Sequence, residues 1–192
     1  MKLNFKPDIT IRPERGHVLL SEPFLNDPYF RRTVIFLCEH NKEGAFGFVL
    51  NNYIDVELDQ IMENMPRHQG KISIGGPVRN SNLYYIHTLG KEIEDSLEII
   101  PGVFMGGDFE ALRKMLEAGE IKKNQVRFFV GYSGWSAEQL EEEIKTNSWF
   151  ITSIEKDLVM NTEVSDLWKV IMKGLGKKGE MLANMPEDPS LN

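Results

Sequence analysis

The sequence predicts an α+β fold, a single compact domain in which a mostly antiparallel, barrel-like β-sheet is flanked by about four helices. The stretch Thr33–Asn51, TVIFLCEHNKEGAFGFVLN, holds two apolar runs, Val34–Leu37 and Ala45–Leu50, around the polar turn Asn41-Lys42-Glu43-Gly44. Runs rich in β-branched and aromatic residues, separated by a few polar residues with Gly, read as a hairpin. Neither run alternates apolar with polar, so both faces of the pair are covered, mid-sheet or in a barrel wall. Strand-like segments, about eight or nine, outnumber helical ones and mix with them without regular β-α-β alternation. Closing such a sheet removes its exposed edges.

In chain order, residues 1–15 carry prolines and charges before any sustained apolar run and read as an arm. His17–Ser21 is a short strand, and Glu22–Arg32 a loop held by Pro23 and Pro28 and anchored by its aromatics. After the hairpin, Leu58, Ile61, Met62 and Met65 recur at helical spacing until Pro66 stops the helix. Lys71–Ile74 is a strand entering the bend Gly75-Gly76-Pro77-Val78, where paired glycines allow positive φ or a close backbone approach. Leu83–Thr88, Leu97–Ile100 and Val103–Met105 follow as strands. Asp108 caps a helix with Phe109, Leu112, Met115 and Leu116 inward, closed by Gly119.

Val126–Tyr132 is a strong strand, and the residues through Trp135 read as a turn feeding a helix. Ser136 and Gln139 form that helix's capping box, with Leu140 and Ile144 inward and Glu141 paired to Lys145 outside. Trp149–Ile154 is a strand, and a last helix sets Val164, Leu167, Trp168 and Ile171 on one side and stops near Gly174. The tail after Gly179 is polar and expected to be extended. The expected division is an arm over 1–15, a domain over 16–178 and a tail over 179–192.

Composition bounds the function. A 41% hydrophobic share suffices for a sizeable core. The net charge of −7, from 22 basic and 29 acidic residues, works against direct nucleic-acid binding and anionic membranes. Pairs such as Arg31-Arg32, Lys122-Lys123 and Lys177-Lys178 are short, scattered and read as solvated surface. One cysteine, Cys38, excludes an intrachain disulfide and points to a reducing compartment. With no signal-like or membrane-length apolar run, the expectation is a soluble cytoplasmic protein.

Motifs that carry chemistry are weak. Gly131-Tyr132-Ser133-Gly134-Trp135 resembles the nucleophile elbow G-x-S-x-G, but its second glycine comes one place early. Residues 174–179 satisfy G-x-G-x-x-G yet follow a helix and lack a downstream ribose-binding acid. Cys38-Glu39-His40 offers a thiol beside a base, with Cys38 and His40 expected on one strand face, but core packing is the stronger reading. His17, His40 and His87, with Glu39 or Asp27, lack metal-ligand spacing, so no metal and no cofactor are expected. Gly75-Gly76 offers backbone N–H groups to an anion, but a tight turn is the stronger reading of a bare glycine pair. No basic second helix follows a short turn, as helical DNA readers need.

Several stretches together resemble the AlgH/YqgE family of bacterial proteins. They are Gly16–Leu20, Asp27-Pro28-Tyr29-Phe30-Arg31, Val34-Ile35 with Glu39-His40, Glu43-Gly44-Ala45, and Gly47 with Val49-Leu50-Asn51. Gly75-Gly76-Pro77-Val78, His87, Gly131–Trp135 and Gln139-Leu140-Glu141 complete the set over most of residues 16–175. The chain departs from the family pattern at Thr33, Asn52-Tyr53 and Ser136-Ala137. The resemblance implies a compact α+β domain with a barrel-like sheet. It implies no catalytic residue, and one family name comes from a proposed regulator of alginate synthesis.

The expectation is therefore a non-enzymatic regulatory or binding module acting through a small molecule or a protein partner, with any transcriptional role indirect. An enzyme using Cys38, Glu39 or His40 and a direct DNA-binding regulator are the alternatives. Gly75, Gly76, His87, Tyr132 and Trp135, each in or beside a turn at a strand end, are the expected rim of a shared pocket.

Overall fold

The hairpin expected over Thr33–Asn51 is present: β2 (Val34–Asn41) and β3 (Gly44–Val49) pair antiparallel across the Lys42-Glu43 turn. It belongs to a computed structural model that describes residues 11–186. The first ten residues of the expected arm and residues 187–192 of the expected tail lie outside the described residues.

Around the hairpin the strands are β1 (Val18–Ser21), β4 (Tyr53–Ile54), β5 (Ile72–Ile74), β6 (Val78–His87), β7 (Leu97–Ile100), β8 (Val103–Met105), β9 (Val126–Ser136) and β10 (Trp149–Thr152). They make one sheet of ten strands in the order β10-β1-β2-β3-β9-β6-β8-β7, with β5 on β9 and β4 on β5. Every pairing is antiparallel except β5 on β9.

The outer strands β10 and β7 do not pair with each other, so the sheet is open and "barrel-like" was too strong an expectation. Helices cover its faces. Among the described residues six α-helices do this: α1 (Leu58–Ile61), α2 (Phe109–Glu117), α3 (Gln139–Lys145), α4 (Lys156–Met160), α5 (Leu167–Gly174) and α6 (Lys177–Ala183). No helix among the described residues is long and apolar enough to cross a membrane.

The unalternating runs are explained by burial on both faces. Val34, Phe36 and Cys38 of β2 join the main core with Phe48, Trp168, Met172 and Leu182. Ile35 and Leu37 face the other way, toward Trp135, Leu140 and Trp149. A third cluster joins Val126 and Phe128 of β9 to Leu58 of α1 and to Leu112 and Leu116 of α2. Burying each such large apolar side chain contributes about 1.5–3 kcal/mol against solvent.

Four local expectations are corrected. Residues 131–135 are not a turn: they continue β9, bonded to Val78 at Tyr132 and to β3 from Ser133 to Ser136. Gly179 does not begin an extended tail but lies inside α6, where a Cβ would come 2.1 Å from Met172 O of α5. Close helix packing thus requires that glycine, and buried Leu182 and Ala183 follow it. The helix over Leu58–Met65 is a single turn, because Met62 is already extended and Asn64 left-handed. Finally, Lys145 bonds Glu142 rather than Glu141, whose carboxylate is taken by His40 Nε2 at 2.8 Å. Asp108 does cap α2, accepting from the N–H groups of Glu110 and Ala111.

Arg127 of β9 is the largest buried charge, 1% exposed. Its guanidinium donates to Leu50 O, Val159 O and Ser73 Oγ, tying β3's end, α4 and β5 to one strand. Burial draws its pKa down to about 10, opposed by the neighbouring Tyr53, so it stays charged at neutral pH. Its hydrogen-bond partners are uncharged oxygens, and their convergence, with the rings of Tyr53 and Phe129 at 5.9 and 5.4 Å, offsets the desolvation. Arg127→Ala should therefore destabilise by about 3–5 kcal/mol in urea unfolding, through a cavity plus orphaned carbonyls. Arg127→Lys should lose more than half of that, since one ammonium cannot span the three acceptors; a neutral Arg127→Lys would show that the fork geometry is unimportant.

Candidate functional site

A pocket of about 540 Å³ opens where β2, β3, β9 and β6 meet, lined by Glu39, Asn41, Glu43, Phe46, Val78, Tyr84, Tyr132 and the backbone side of residues 44–45 and 134–135. The register builds it. Gly134 stands directly opposite Phe46 on the paired strands, so the sheet face beside Phe46 has no side chain there. Tyr132, two residues earlier, points to the same face and meets Phe46 edge-on, ring centroids 5.9 Å apart at 77°. Tyr84 of β6 meets Tyr132 at 5.7 Å and 80° and rests on Phe48, which stacks on Phe129 at 4.6 Å. The aromatic wall is thus the margin of the main core, left partly uncovered.

The acidic rim comes from a bulge. Pairing of β2 with β3 slips between Leu37 and Glu39, leaving Cys38 as the extra residue. Past the slip, Glu39 pairs with Phe46 and turns toward the pocket, while His40 pairs with Ala45 on the α3 side. The expectation that Cys38 and His40 share a face is therefore wrong, because the bulge resets the alternation. Asn41 Nδ2 donates to Glu39 Oε1 at 2.7 Å, and Asn41 Oδ1 accepts the Glu43 N–H at 2.8 Å.

The five expected rim residues separate. Tyr132 is in the aromatic wall. Trp135 contributes only its backbone side, because its indole lies on the other face and donates to Glu143 Oε2, as does Trp149. Gly75 and Gly76 lie behind the pocket, against β9. Gly75 N–H donates to Val130 O, and Gly75 O accepts from Val49 N–H and Ser133 Oγ. Gly76 sits at φ +152, where a Cβ would meet Tyr132's carbonyl carbon at 2.3 Å. This is close strand packing rather than an anion nest. His87 is at the far end of β6, paired with Val126, and completely buried. Its Nδ1 accepts the Leu89 N–H, which leaves Nε2 as the donor to Gly106 O at 3.0 Å.

The other candidates disperse. Cys38 is fully buried, its thiol donating to Phe36 O, and burial pushes its pKa far up. His17 contacts Arg12 O and His40 bonds Glu141, so the histidines do not converge. Among the described residues no group of three or more His, Cys, Asp or Glu could hold a metal ion. Sequence reasoning missed Phe46, Tyr84, Val78, Glu43 and Gly134 as pocket residues. Only the pairing of both β3 and β6 with β9, far apart in the chain, brings them together.

A family model described as AlgH-like matches residues 18–180. The chain belongs to the AlgH-like family. A relative from Bacteroides fragilis, UPF0301 protein BF2109, is 40% identical over 188 residues, covering 95% of this chain and 93% of that one. UPF0301 protein CT0663 of Chlorobaculum tepidum is 38% identical over 177 residues, covering 92% and 95%. Among solved structures, the AlgH protein of Pseudomonas aeruginosa superposes with a TM-score of 0.71 at 26% identity, covering 90% of this chain and 94% of that one. The protein DIP2367 of Corynebacterium diphtheriae gives 0.74 at 21% identity, covering 91% and 94%, and shares the fold.

Two outcomes follow for this AlgH-like chain. Cys38 should resist alkylation by iodoacetamide under native conditions and react fully in 6 M urea, as a buried protonated thiol must; native labelling at the rate of a free thiol would restore the nucleophile reading. Burial lowers the pKa of His87 and His68 from 6.5, with carbonyl hydrogen bonds from each ring partly opposing. Unfolding frees these rings to take up protons, so their contribution is complete above about pH 6.5 and falls as pH drops through their folded values. Urea midpoints should decline from pH 7.5 to 5, and less steeply in His87→Gln, whose amide can make the same two bonds. An unchanged slope in that variant would remove His87 from the account.

Proposed function

We propose that this AlgH-like protein is a non-enzymatic binding module whose pocket beside Phe46, Tyr84 and Tyr132 takes a small molecule, with any effect on transcription exerted indirectly. One observation carries this reading. The pocket has the volume and aromatic walls of a small-molecule site, while its lining contains neither a thiol nor an imidazole nor an amine. Ligand pockets typically run to about 300–1,000 Å³ with a few polar groups at fixed places, and Glu39, Asn41 and Glu43 supply those groups here. The burial of Cys38 and the engagement of His40 with Glu141 weigh against the enzyme alternative. The net charge of −7 and the acidic rim weigh against direct contact with DNA phosphates. Its single thiol, Cys38, fits a cytoplasmic setting, which belongs to the same proposal.

The test is a metabolite-library screen by thermal shift, followed by amide chemical-shift mapping. A ligand that binds the folded form raises the melting temperature, and its shifts should centre on Phe46, Tyr132 and Gly134. Gly134→Leu fills the floor opposite Phe46 and should abolish both effects while leaving the protein folded. A ligand whose shifts map elsewhere and survive Gly134→Leu would overturn the assignment of the pocket.

A further inference from the structure

We infer that the ligand is a small organic cation, an alkylammonium whose apolar body lies on the aromatic wall. This rests on the binding reading above and specifies its chemistry. The lining carries two carboxylates, Glu39 and Glu43, and no Lys, Arg or His. Glu39 is held at the rim by Asn41 through only one of its oxygens, so the other can receive a donor. Neighbouring Lys42 and Arg79 are exposed and not part of the lining.

The walls point the same way. Tyr132 stands nearly perpendicular to both Phe46 and Tyr84, making an angled surface of rings rather than a flat one. A cation placed against aromatic faces is attracted by their negative quadrupole, and ammonium groups are recognised in this manner. No hydrogen bond from the Tyr84 or Tyr132 hydroxyl to another residue is present among the described residues, so both oxygens can accept from a ligand. A phosphate or carboxylate ligand would instead meet two negative side chains with no compensating base.

The decisive experiment compares choline with its uncharged isostere 3,3-dimethylbutan-1-ol, each titrated alone into the full chain and followed by amide shifts and calorimetry. A second cation, 1,5-diaminopentane, tests the class with a primary ammonium. At least one cation should bind, with shifts at Phe46, Tyr132 and Gly134, at least about tenfold more tightly than the isostere. The Glu39→Gln/Glu43→Gln double variant, at two exposed positions, should melt as the parent does and lose about tenfold in cation affinity. Its affinity for the isostere should be unchanged. An isostere that binds equally well, or a double variant with undiminished cation affinity, overturns the inference. Silence from both cations, with a neutral or anionic library compound shifting Gly134, overturns the cation class and leaves the binding reading standing. Silence from every compound at Gly134 removes both.

Discussion

The dependence of the whole sheet on one strand is the constraint from which the rest follows. β9 runs eleven residues, Val126–Ser136, about twice the length of an average strand. Its first half is flanked by β5 and β6, and its second half by β3. The hairpin unit β10-β1-β2-β3 and the unit β6-β8-β7 touch chiefly through it. One edge of β9 serves two neighbours, β5 and β3, while the outer strands β10 and β7 do not pair with each other. The result is an open sheet whose faces need helices, with α4, α5 and α6 against the main core and α3 against the other side of the hairpin.

Polar groups buried along this spine are matched with few charges. Arg127 gathers two carbonyls and one hydroxyl from three elements, and Glu143 receives two indole N–H groups, from Trp135 and Trp149. His87 and His68 bond the carbonyls of Gly106 and Val126 as neutral rings. Arg127 and the two histidines reach oxygens at least 19 residues away, and Glu143 meets indoles on the strands before and after α3. Spacing along the chain cannot reveal such partners.

The fold class, the central hairpin, Leu97–Ile100, Val103–Met105 and the Asp108 cap were readable because local chemistry decides them: apolar runs, turn residues and a capping carboxylate. Gly131–Trp135 was misread for an equally physical reason. Two glycines within four residues look like a bend, yet here Gly131 lets Gly76 and Val78 approach β9, where a Cβ would stand 2.7 and 2.8 Å from their carbonyl oxygens, and Gly134 leaves room for the Tyr132 ring. α4, five residues long, is too short to display a helical period, and the glycines at 174, 176 and 179 made α6 read as a helix end and a tail. Of the expected site residues, Tyr132 reaches the pocket with its side chain, and His87 was separated from it by the length of β6. Glu39, singled out beside Cys38 and His40, reaches the pocket rim without either of them.

The pocket itself is a consequence of two departures from regular sheet. Without the bulge at Cys38, Glu39 would follow the strict alternation and point with Ile35 and Leu37 toward α3, into an apolar layer where a carboxylate is costly. The extra residue keeps Cys38 in the core and turns the next side chain to the solvent end of that same face. Without glycine at 134, the position opposite Phe46 would carry a side chain against Tyr132, whose ring lies 3.0 Å from where a Cβ would stand. An insertion in one strand and an omission in its neighbour thus set a carboxylate over an aromatic hollow. Bulges re-aim side chains at a cost in regular pairing, and a glycine inside a strand forfeits cross-strand packing. That both occur on facing strands, at the margin of the core, is the strongest physical reason to look for function there.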